Sequence, residues 1–246
     1  MGSRIVAVVS GGPDSTCSLI YWLSKGYDAS VLFFDYGHKA SKRELESLQR
    51  ILSKLNNIAS TKGWGKVVEL VTLNMEFMKN LWRGTQLTDS SVRVLEEYDR
   101  TVVVPLRNAV MATIAAAYAY TLISTGSYDK VYVVLGSQYD DVKPREDTWE
   151  PRYPDCSPEC FSALELAFKV CHFRSERKVE IWTPSIAGLG KSELLKMCYD
   201  LVGDLVYETW SCYQGFEKHC GVCESCRNRK KAFAEAGLPD KTEYMA

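Results

Sequence analysis

The sequence predicts an α/β fold in which a mostly parallel β-sheet carries helices on both faces. Short apolar runs typical of buried parallel strands alternate with longer segments of helical periodicity from residue 4 to residue 73. This β-α-β-α-β order requires crossover connections between parallel strands. At 246 residues, with 46% hydrophobic and 25% charged residues, the chain has an ordinary globular composition and room for one sizeable domain.

Each predicted element has its own signal. β-branched runs that end at glycine, proline or polar residues predict five strands, at residues 4–9, 29–34, 67–73, 130–135 and 179–182. Amphipathic or alanine-rich periodicity predicts six helices, at residues 15–24, 41–58, 108–124, 162–170, 191–201 and 227–236. Residues 74–101 are weakly patterned and polar, so we expect an excursion or an active-site loop there.

Charge and cysteine usage narrow the possible functions. The chain has 30 basic and 31 acidic residues, a net charge of −1, which argues against a nucleic-acid binder because such affinity rests on Lys and Arg contacts to phosphate. The longest apolar run, residues 109–123, is shorter than the roughly 20 residues of a membrane span. Nine cysteines, an odd number without an export signal, argue against a disulfide framework. We expect a cytoplasmic protein.

A glycine-containing loop joins the first predicted strand to the first predicted helix. It reads Ser10-Gly11-Gly12-Pro13-Asp14-Ser15-Thr16. A glycine pair lets the backbone approach a ligand closely, and the N-terminus of the following helix offers unpaired N–H groups to an anion. The loop is neither a Walker A sequence nor a dinucleotide fingerprint. It indicates a phosphate site at the carboxyl edge of the sheet, although a plain turn capped by Ser15 would fit the same residues.

Four cysteines near the C-terminus have the spacing of a metal site. They are Cys212, Cys220, Cys223 and Cys226. Two Cys-x-x-Cys steps bring thiolates together around one ion, and four sulfurs in a closed shell suit a structural zinc. An iron–sulfur cluster uses similar spacing and remains the alternative. We expect a small C-terminal zinc-binding region at residues 206–246, after a catalytic domain at residues 1–205.

The glycine loop resembles the signature of the PP-loop ATP pyrophosphatases, which cleave ATP to AMP and pyrophosphate. Six pieces in order, across nearly the whole chain, are similar to one family within that group, 7-cyano-7-deazaguanine synthase. They are Ser10-Gly11-Gly12-x-Asp14-Ser15, Asp35-Tyr36-Gly37, Val104-Pro105-x-Arg107-Asn108, Tyr153-Pro154-Asp155-Cys156, Thr183-Pro184 with Lys191-x-Glu193, and Ser211-Cys212-Tyr213 followed by the cysteine cluster. The resemblance implies a Rossmann-like fold of the adenine nucleotide alpha hydrolase type.

The resemblance also implies a reaction. An ATP-dependent ligase would adenylate 7-carboxy-7-deazaguanine, and ammonia would displace AMP to give an amide. A second ATP would then activate the amide oxygen, whose loss leaves the nitrile of 7-cyano-7-deazaguanine for queuosine or archaeosine biosynthesis. The implied cofactors are Mg²⁺ with ATP and one structural Zn²⁺, and the implied assembly is a homodimer.

The matched motifs carry residue roles as expectations. ATP contacts are expected from Ser10, Gly11, Gly12, Asp14, Ser15, Thr16, Asp35 and Lys191, and substrate contacts from Arg107, Asn108, Tyr153 and Asp155. Catalytic roles are expected for Asp14 toward Mg²⁺ and pyrophosphate, for Lys191 toward phosphate, and for Arg107 toward phosphate or the substrate carboxylate. From the residues alone, Asp35 could equally cap a turn, and Lys191 and Arg107 could be surface charges.

Three positions depart from the family pattern, and rival functions stay open. Leu106 stands where the family commonly has glycine, Ser157 where it has arginine, and His38 where it has glutamine. One alternative is a related ligase acting on another carboxylate. Others are a tRNA-thiolating PP-loop enzyme, which the basic run at residues 227–231 would suit, and a nucleotide-binding module without catalysis.

Overall fold

The computed structural model describes residues 4–126, 128–172 and 178–245 and contains one parallel sheet. Its five strands are β1 (Arg4–Val8), β2 (Asp28–Asp35), β3 (Val67–Asn74), β4 (Val131–Val134) and β5 (Val179–Trp182). They lie in the order β3-β2-β1-β4-β5, and every neighbouring pair is parallel. This order is the Rossmann-like one, so the predicted fold class is confirmed.

Six helices cover the two faces of the sheet. They are α1 (Pro13–Ser24), α2 (Ser41–Lys62), α3 (Arg107–Ser124), α4 (Pro158–Cys171), α5 (Lys191–Val202) and α6 (Glu224–Glu235). Buried side chains of α1, α2, α5 and α6 form one hydrophobic core, and those of α3 and α4 belong to a second core on the opposite face. All six predicted helices are present.

Strand β1 contributes side chains to both hydrophobic cores. Ile5 and Ala7 are fully buried on the α1–α2 side, whereas Val6 between them is fully buried on the α3–α4 side. Side chains of successive strand residues point to opposite faces, so an unbroken apolar run is what a strand covered on both faces needs. The central position of β1 explains why its run contains no polar side chain after Arg4.

Residues 74–101 form an excursion between β3 and α3 that is polar at most positions but contains a few buried apolar residues. They form a 3-10 turn at Glu76–Asn80 and send Met75, Trp82 and Leu87 into the α3–α4 core. Within this stretch, Leu87 lines the large cavity described below. The segment is thus an irregular excursion that reaches the cavity at one residue, and three of its apolar side chains also extend the α3–α4 core.

The C-terminal region packs against the sheet domain through α6. Phe233 is fully buried and Ala232 is nearly so, both within the α1–α2 core, whereas Cys212, Cys223 and Cys226 belong to a separate small cluster with Trp210. The cysteine cluster is thus connected to the main core by one helix.

One helical stretch, Arg100–Ser124, is long and apolar enough to cross a membrane by length and composition, within the part of the chain that the structure describes. It includes α3, whose Met111, Ala112 and Ala115 are buried in the α3–α4 core. Core helices of globular proteins pass the same test, so this stretch alone is weak evidence for a membrane span.

Candidate active site

A cavity of about 1080 Å³ opens at the carboxyl ends of the strands. The sheet order reverses between β1 and β4, and ligands of open α/β sheets bind in the crevice at such a point. Its walls come from the β1–α1 loop, the start of α3, the segments after β4, and the C-terminal cysteine region. Residues far apart in sequence therefore share one site.

The glycine loop forms the floor of the cavity. Gly11 has a φ of +83°, and a Cβ there would lie 2.5 Å from the backbone oxygen of Glu44, so only glycine fits. The Gly12 N–H donates to Ser10 Oγ at 3.2 Å, which holds the turn closed. Helix α1 begins at Pro13, so its N-terminus, the positive end of the helix dipole, faces the cavity.

The loop residues do not all reach the cavity. Ser10, Gly12, Asp14 and Ser15 line it, whereas Gly11 and Thr16 are absent from its walls. The Gly11 carbonyl accepts from the Trp210 N–H at 2.9 Å. Thr16 is 1% exposed, and its Oγ1 has no hydrogen-bond partner among the described residues.

Asp14 and Lys191 form an ion pair within the cavity. Lys191 Nζ donates to Asp14 Oδ2 at 2.6 Å, joining the first turn of α1 to the first residue of α5. Burial alone would lower the pKa of Lys191, but the Asp14 carboxylate outweighs it and raises that pKa above its usual value. Asp14 Oδ1 is buried without a partner among the described residues. The pair therefore keeps a cation and one unused carboxylate oxygen beside the glycine loop.

The start of α5 is itself capped by acidic side chains. The Gly190 N–H donates to Glu193 at 2.8 Å, and the Lys191 N–H donates to Asp140 Oδ2 at 2.8 Å. These contacts explain the Lys-x-Glu spacing, because the glutamate fixes the helix start from which the lysine projects.

Asp141 is a site residue that the sequence analysis missed. It lines the cavity, and its Oδ1 accepts from the Gln138 side-chain amide Nε2 at 2.8 Å. Burial, followed by the negative charge of Asp14, raises the pKa of Asp141 to about 7, while Lys191 opposes the shift. Its only sequence signal is an Asp pair in a loop after β4, which is too common to single out.

Arg107 is the first residue of α3, and Asp155, from the turn that precedes α4, contacts the same helix start. Arg107 Nη1 donates to the Tyr36 hydroxyl at 3.2 Å, and Asp155 Oδ2 accepts from the Asn108 N–H at 3.0 Å. Burial works against the charge of Arg107, but Tyr36 and Asp155 raise its pKa above the usual value. All four residues line the cavity. Asp155 therefore caps a helix with one oxygen and leaves the other for a ligand.

Asp35 lies at the end of β2 but does not line the cavity. Its Oδ1 accepts from the Gly37 N–H at 2.9 Å, which is the capping arrangement that the residues alone also allowed.

Tyr153 faces a second residue missed from sequence, Glu224. This carboxylate is 5% exposed and accepts from the hydroxyls of Tyr153 at 3.3 Å and Tyr213 at 3.2 Å. Burial, followed by Glu224, raises the pKa of Tyr153, so the hydroxyl keeps its proton. Glu224 follows Cys223 directly, and an acidic residue at a helix start normally signals only helix stabilisation.

The four cysteines come together as a candidate metal centre. The Sγ atoms of Cys212, Cys220, Cys223 and Cys226 all lie within 4.8 Å of one another, with Cys220 and Cys226 at 3.8 Å. Tetrahedral ligands at about 2.3 Å from one ion lie about 3.8 Å apart, so this donor set fits a single metal ion. The predicted metal ligands could therefore hold an ion together.

His219 and Cys156 take no part in that cluster. His219 Nε2 accepts from the Ser211 N–H at 3.0 Å, and burial lowers the pKa of His219 to about 4. Cys156 lines the cavity but lies outside the cluster, and burial raises the pKa of its thiol well above the usual value, which disfavours the reactive thiolate.

Comparison with known proteins identifies the family of this chain. The model of the family described as "Queuosine biosynthesis protein QueC" matches residues 4–237. The chain belongs to the QueC family. The resemblance to 7-cyano-7-deazaguanine synthases, drawn from six short motifs, is thereby confirmed, and the match covers both the sheet domain and the cysteine cluster.

Several curated relatives of this QueC-family chain are named 7-cyano-7-deazaguanine synthase. The relative from Clostridium kluyveri is 35% identical, over 98% of this chain and 97% of its own length. The relative from Marinomonas sp. is 36% identical over the full length of both, and the one from Thermoplasma volcanium is 34% identical over 99% of this chain and 92% of its own. The chain is thus a full-length match to enzymes of this family.

Proposed function

We propose that this chain converts 7-carboxy-7-deazaguanine and ammonia to 7-cyano-7-deazaguanine with the consumption of ATP, in 7-deazaguanine biosynthesis. The observation that carries the proposal is the Asp14–Lys191 pair beside the glycine loop, in one cavity with Arg107 and Asp155. In that cavity, Lys191 and Arg107 are cations for phosphate groups. Arg107 and Asp155 offer a cation and a carboxylate to an acidic heterocycle. The name of the curated relatives supports the same reaction.

The chemistry uses ATP twice to turn an oxygen into a leaving group. The substrate carboxylate attacks the α-phosphate of ATP, which forms an acyl adenylate and releases pyrophosphate. Ammonia attacks the acyl carbon, releases AMP and a proton, and leaves an amide. The amide oxygen attacks the α-phosphate of a second ATP and releases pyrophosphate and a proton, which gives an adenylated imidate. Loss of AMP and a second proton from that imidate gives the nitrile.

The protein's contribution is chiefly to hold phosphate charge. Negative charge develops on the transferring α-phosphate and on departing pyrophosphate, and fixed donors there stabilise the transition state. The α1 N-terminus and the Ser10 and Ser15 hydroxyls supply neutral donors from the loop. Lys191 supplies a full positive charge once phosphate oxygens replace its Asp14 partner. Its raised pKa keeps that ammonium protonated at neutral pH.

Asp14 and Asp141 are the carboxylates that would hold Mg²⁺ with ATP. Asp14 has an unpartnered buried oxygen, and the two carboxylates repel each other enough to contribute to the raised pKa of Asp141. A divalent cation would relieve that repulsion and takes carboxylate and phosphate oxygens as ligands. When bound, it would neutralise phosphate charge.

Arg107, Asn108, Tyr153 and Asp155 form the binding site for the deazaguanine substrate. The Arg107 guanidinium can take the substrate carboxylate as a two-pronged hydrogen-bond partner. The free oxygen of Asp155 can accept from ring N–H or amino groups. Both residues act by orienting the carboxylate toward the α-phosphate.

Zinc is the ion we assign to the cysteine cluster. Four thiolates in a closed tetrahedral shell suit Zn²⁺, and the Sγ separations match one ion, whereas a multi-iron cluster with bridging sulfides needs its ligands further apart. The zinc would be structural, because four protein ligands leave no open coordination position. We place it in a C-terminal region, residues 206–246, attached to a catalytic unit of residues 1–205.

The chain's partners follow from the same properties. The near-zero net charge supports small-molecule partners rather than a nucleic acid. Helix α4 exposes 63% of Leu166 and 49% of Val170, an apolar surface suited to the proposed homodimer. We assign the activity to the cytoplasm, where these substrates are soluble.

Turnover by the purified protein tests the proposal. With Mg²⁺, ATP, ammonium and 7-carboxy-7-deazaguanine, we expect AMP, pyrophosphate and the nitrile, followed by mass spectrometry. Lys191→Ala should lower nitrile formation by about 100-fold or more, since it removes a charge from the phosphate site. Lys196→Ala is the matched control, because Lys196 lies on the same helix and pairs with Asp200 at the surface. AMP and pyrophosphate without nitrile would contradict the assigned carboxylate, and no nucleotide turnover would contradict the enzyme itself.

A further inference from the structure

The cysteine region sends one buried carboxylate into the cavity. Glu224 is the first residue of α6 and lies between Cys223 and Cys226 in the chain, yet its side chain lines the cavity rather than the cysteine cluster. Three side-chain donors converge on it: the hydroxyls of Tyr153 and Tyr213 reach Oε2 at 3.3 Å and 3.2 Å, and Asn228 Nδ2 reaches Oε1 at 3.2 Å. None of the roles assigned above uses this group.

The carboxylate fixes the direction of two hydrogen bonds. An ionised carboxylate has only acceptor sites, and a phenol has a single proton to donate. The hydroxyls of Tyr153 and Tyr213 lie within reach of Glu224 and interact with each other, so each phenol can donate its single proton within this group, and the lone pairs that remain are acceptors. A phenol keeps its proton at neutral pH, because its usual pKa is about 10. Both tyrosines line the cavity, so a bound ligand meets two acceptors there.

We propose that Glu224 is a specificity-determining positioning residue that makes this wall select ligands with N–H donors. The inference rests on the proposed function, whose substrate has such an edge: the guanine-type ring presents an N–H and an exocyclic amino group. A hypoxanthine-type ring lacks the amino group and would leave a buried acceptor unpaired, which is costly. Glu224 acts through the tyrosines and needs no contact with the ligand.

Binding of two matched ligands tests this role. The probes are 7-carboxy-7-deazaguanine and its 2-deamino counterpart, measured by calorimetry on the metal-loaded protein. We expect the unaltered protein to bind the amino-bearing ligand about tenfold more tightly, the value of one or two good hydrogen bonds. Glu224→Gln should lower that preference by about fivefold, because a glutamine amide donates to one hydroxyl and lets that hydroxyl donate to the ligand in turn.

Variants on the same carboxylate serve as checks. Tyr213→Phe and Tyr153→Phe each remove one acceptor and should weaken the amino-bearing ligand more than its counterpart, even if Glu224→Gln folds poorly. Asn228→Ala removes the third donor without changing either phenol, so the preference should stay within about twofold. Metal content and ATP affinity, measured on every variant, should match those of the unaltered protein.

The outcomes separate this inference from the proposed function. If Glu224→Gln and both phenylalanine variants weaken the two ligands equally, the preference is set elsewhere and the inference is overturned, even where the nitrile still forms. A second outcome is that the unaltered protein shows the preference, the variants lose it, and no nitrile forms. That result would support the selection of N–H donors by Glu224 and would contradict the proposed reaction.

Discussion

Leu106 carries a backbone conformation that favours glycine. Its φ is +55°, in the left-handed region, at the residue that precedes α3, and its side chain is 67% exposed. A left-handed backbone conformation costs an L-residue about 1 kcal/mol. Because the Leu106 side chain is mostly exposed, its burial offsets little of that cost. Leu106→Gly should therefore raise the free energy of unfolding by up to about 1 kcal/mol, measured by chemical denaturation.

Leu106→Ala is the control for that prediction. Alanine has a Cβ and keeps the strained φ, while it removes the same apolar side chain as glycine does. If the alanine and glycine variants are equally stable, the strain at Leu106 is not the cause. The glycine expected here from the resemblance would suit this geometry, and the chain keeps the turn despite its leucine.

Asp141 makes stability depend on pH. Its pKa is about 7 in the folded protein and near 4 in the unfolded chain, so the folded state holds an extra proton between these values. Its contribution to stability is present below pH 4 and is lost as the pH rises from about 4 to 7. Asp141→Asn should flatten this part of the pH–stability curve of the nucleotide-free protein. An unchanged slope in the asparagine variant would contradict the assignment to Asp141.

At the scale of the element, α4 shows a local signal that sets a helix boundary. The helix begins at Pro158, and the Ser157 hydroxyl accepts from the Cys160 N–H at 3.1 Å. Ser157→Ala should lower the free energy of unfolding by about 1 kcal/mol, because the cap is lost. Ser157→Asp should retain the stability, since aspartate caps equally well. Equal losses in both variants would point to a role of Ser157 other than capping.

The elements that the sequence predicts well are those with strong local patterns. The parallel strands follow from unbroken β-branched runs, and the six helices follow from periodicity, but the start of α4 lies four residues before its predicted position because Pro158 reads as a loop residue. Residues 74–101 are polar at most positions in the sequence. Their few apolar side chains are buried only when the folded chain places them against the α3–α4 core, so the local pattern does not predict their burial.

The candidate site also contains groups that the sequence predicts and groups that only the structure shows. The glycine loop and the cysteine cluster are contiguous, so spacing alone brings their groups together. Asp141 and Glu224 enter the cavity from separate loops and helices, and their importance lies in burial and in partners distant in sequence. No local pattern records those partners, so only the folded chain shows them.

At the scale of the whole molecule, the cysteine cluster connects the hydrophobic core to the cavity wall. On one side, α6 buries Phe233 completely in the α1–α2 core, and the Arg229 guanidinium donates to Thr209 at 2.9 Å and Ser211 at 3.0 Å. On the other side, Tyr213 and Glu224 line the cavity. Tyr213 and Glu224 lie between cysteines of the cluster in the chain, and α6 continues from the cluster into the core, so an ion bound there would hold the wall against the sheet domain.

Loss of the ion should therefore lower the stability of the protein. It should also weaken the binding of 7-carboxy-7-deazaguanine more than the binding of ATP. Cys226→Ser removes one ligand, and we expect the melting temperature to fall by on the order of 10 °C, as loss of several kcal/mol would produce in a chain of this size. Affinity for 7-carboxy-7-deazaguanine should fall by about tenfold or more, because its wall includes the region held by the cluster. Affinity for ATP should change less, since the loop and Lys191 belong to the sheet domain.

Cys171→Ser is the matched control for that experiment. Cys171 is exposed at the end of α4 and lies outside the four-cysteine cluster, so its loss should leave metal content, melting temperature and both affinities unchanged. Elemental analysis should give one metal ion per chain in the unaltered and Cys171→Ser proteins. If Cys226→Ser loses its metal and weakens ATP and the carboxylate substrate to the same degree, the cluster supports the fold as a whole and does not selectively hold one wall of the cavity.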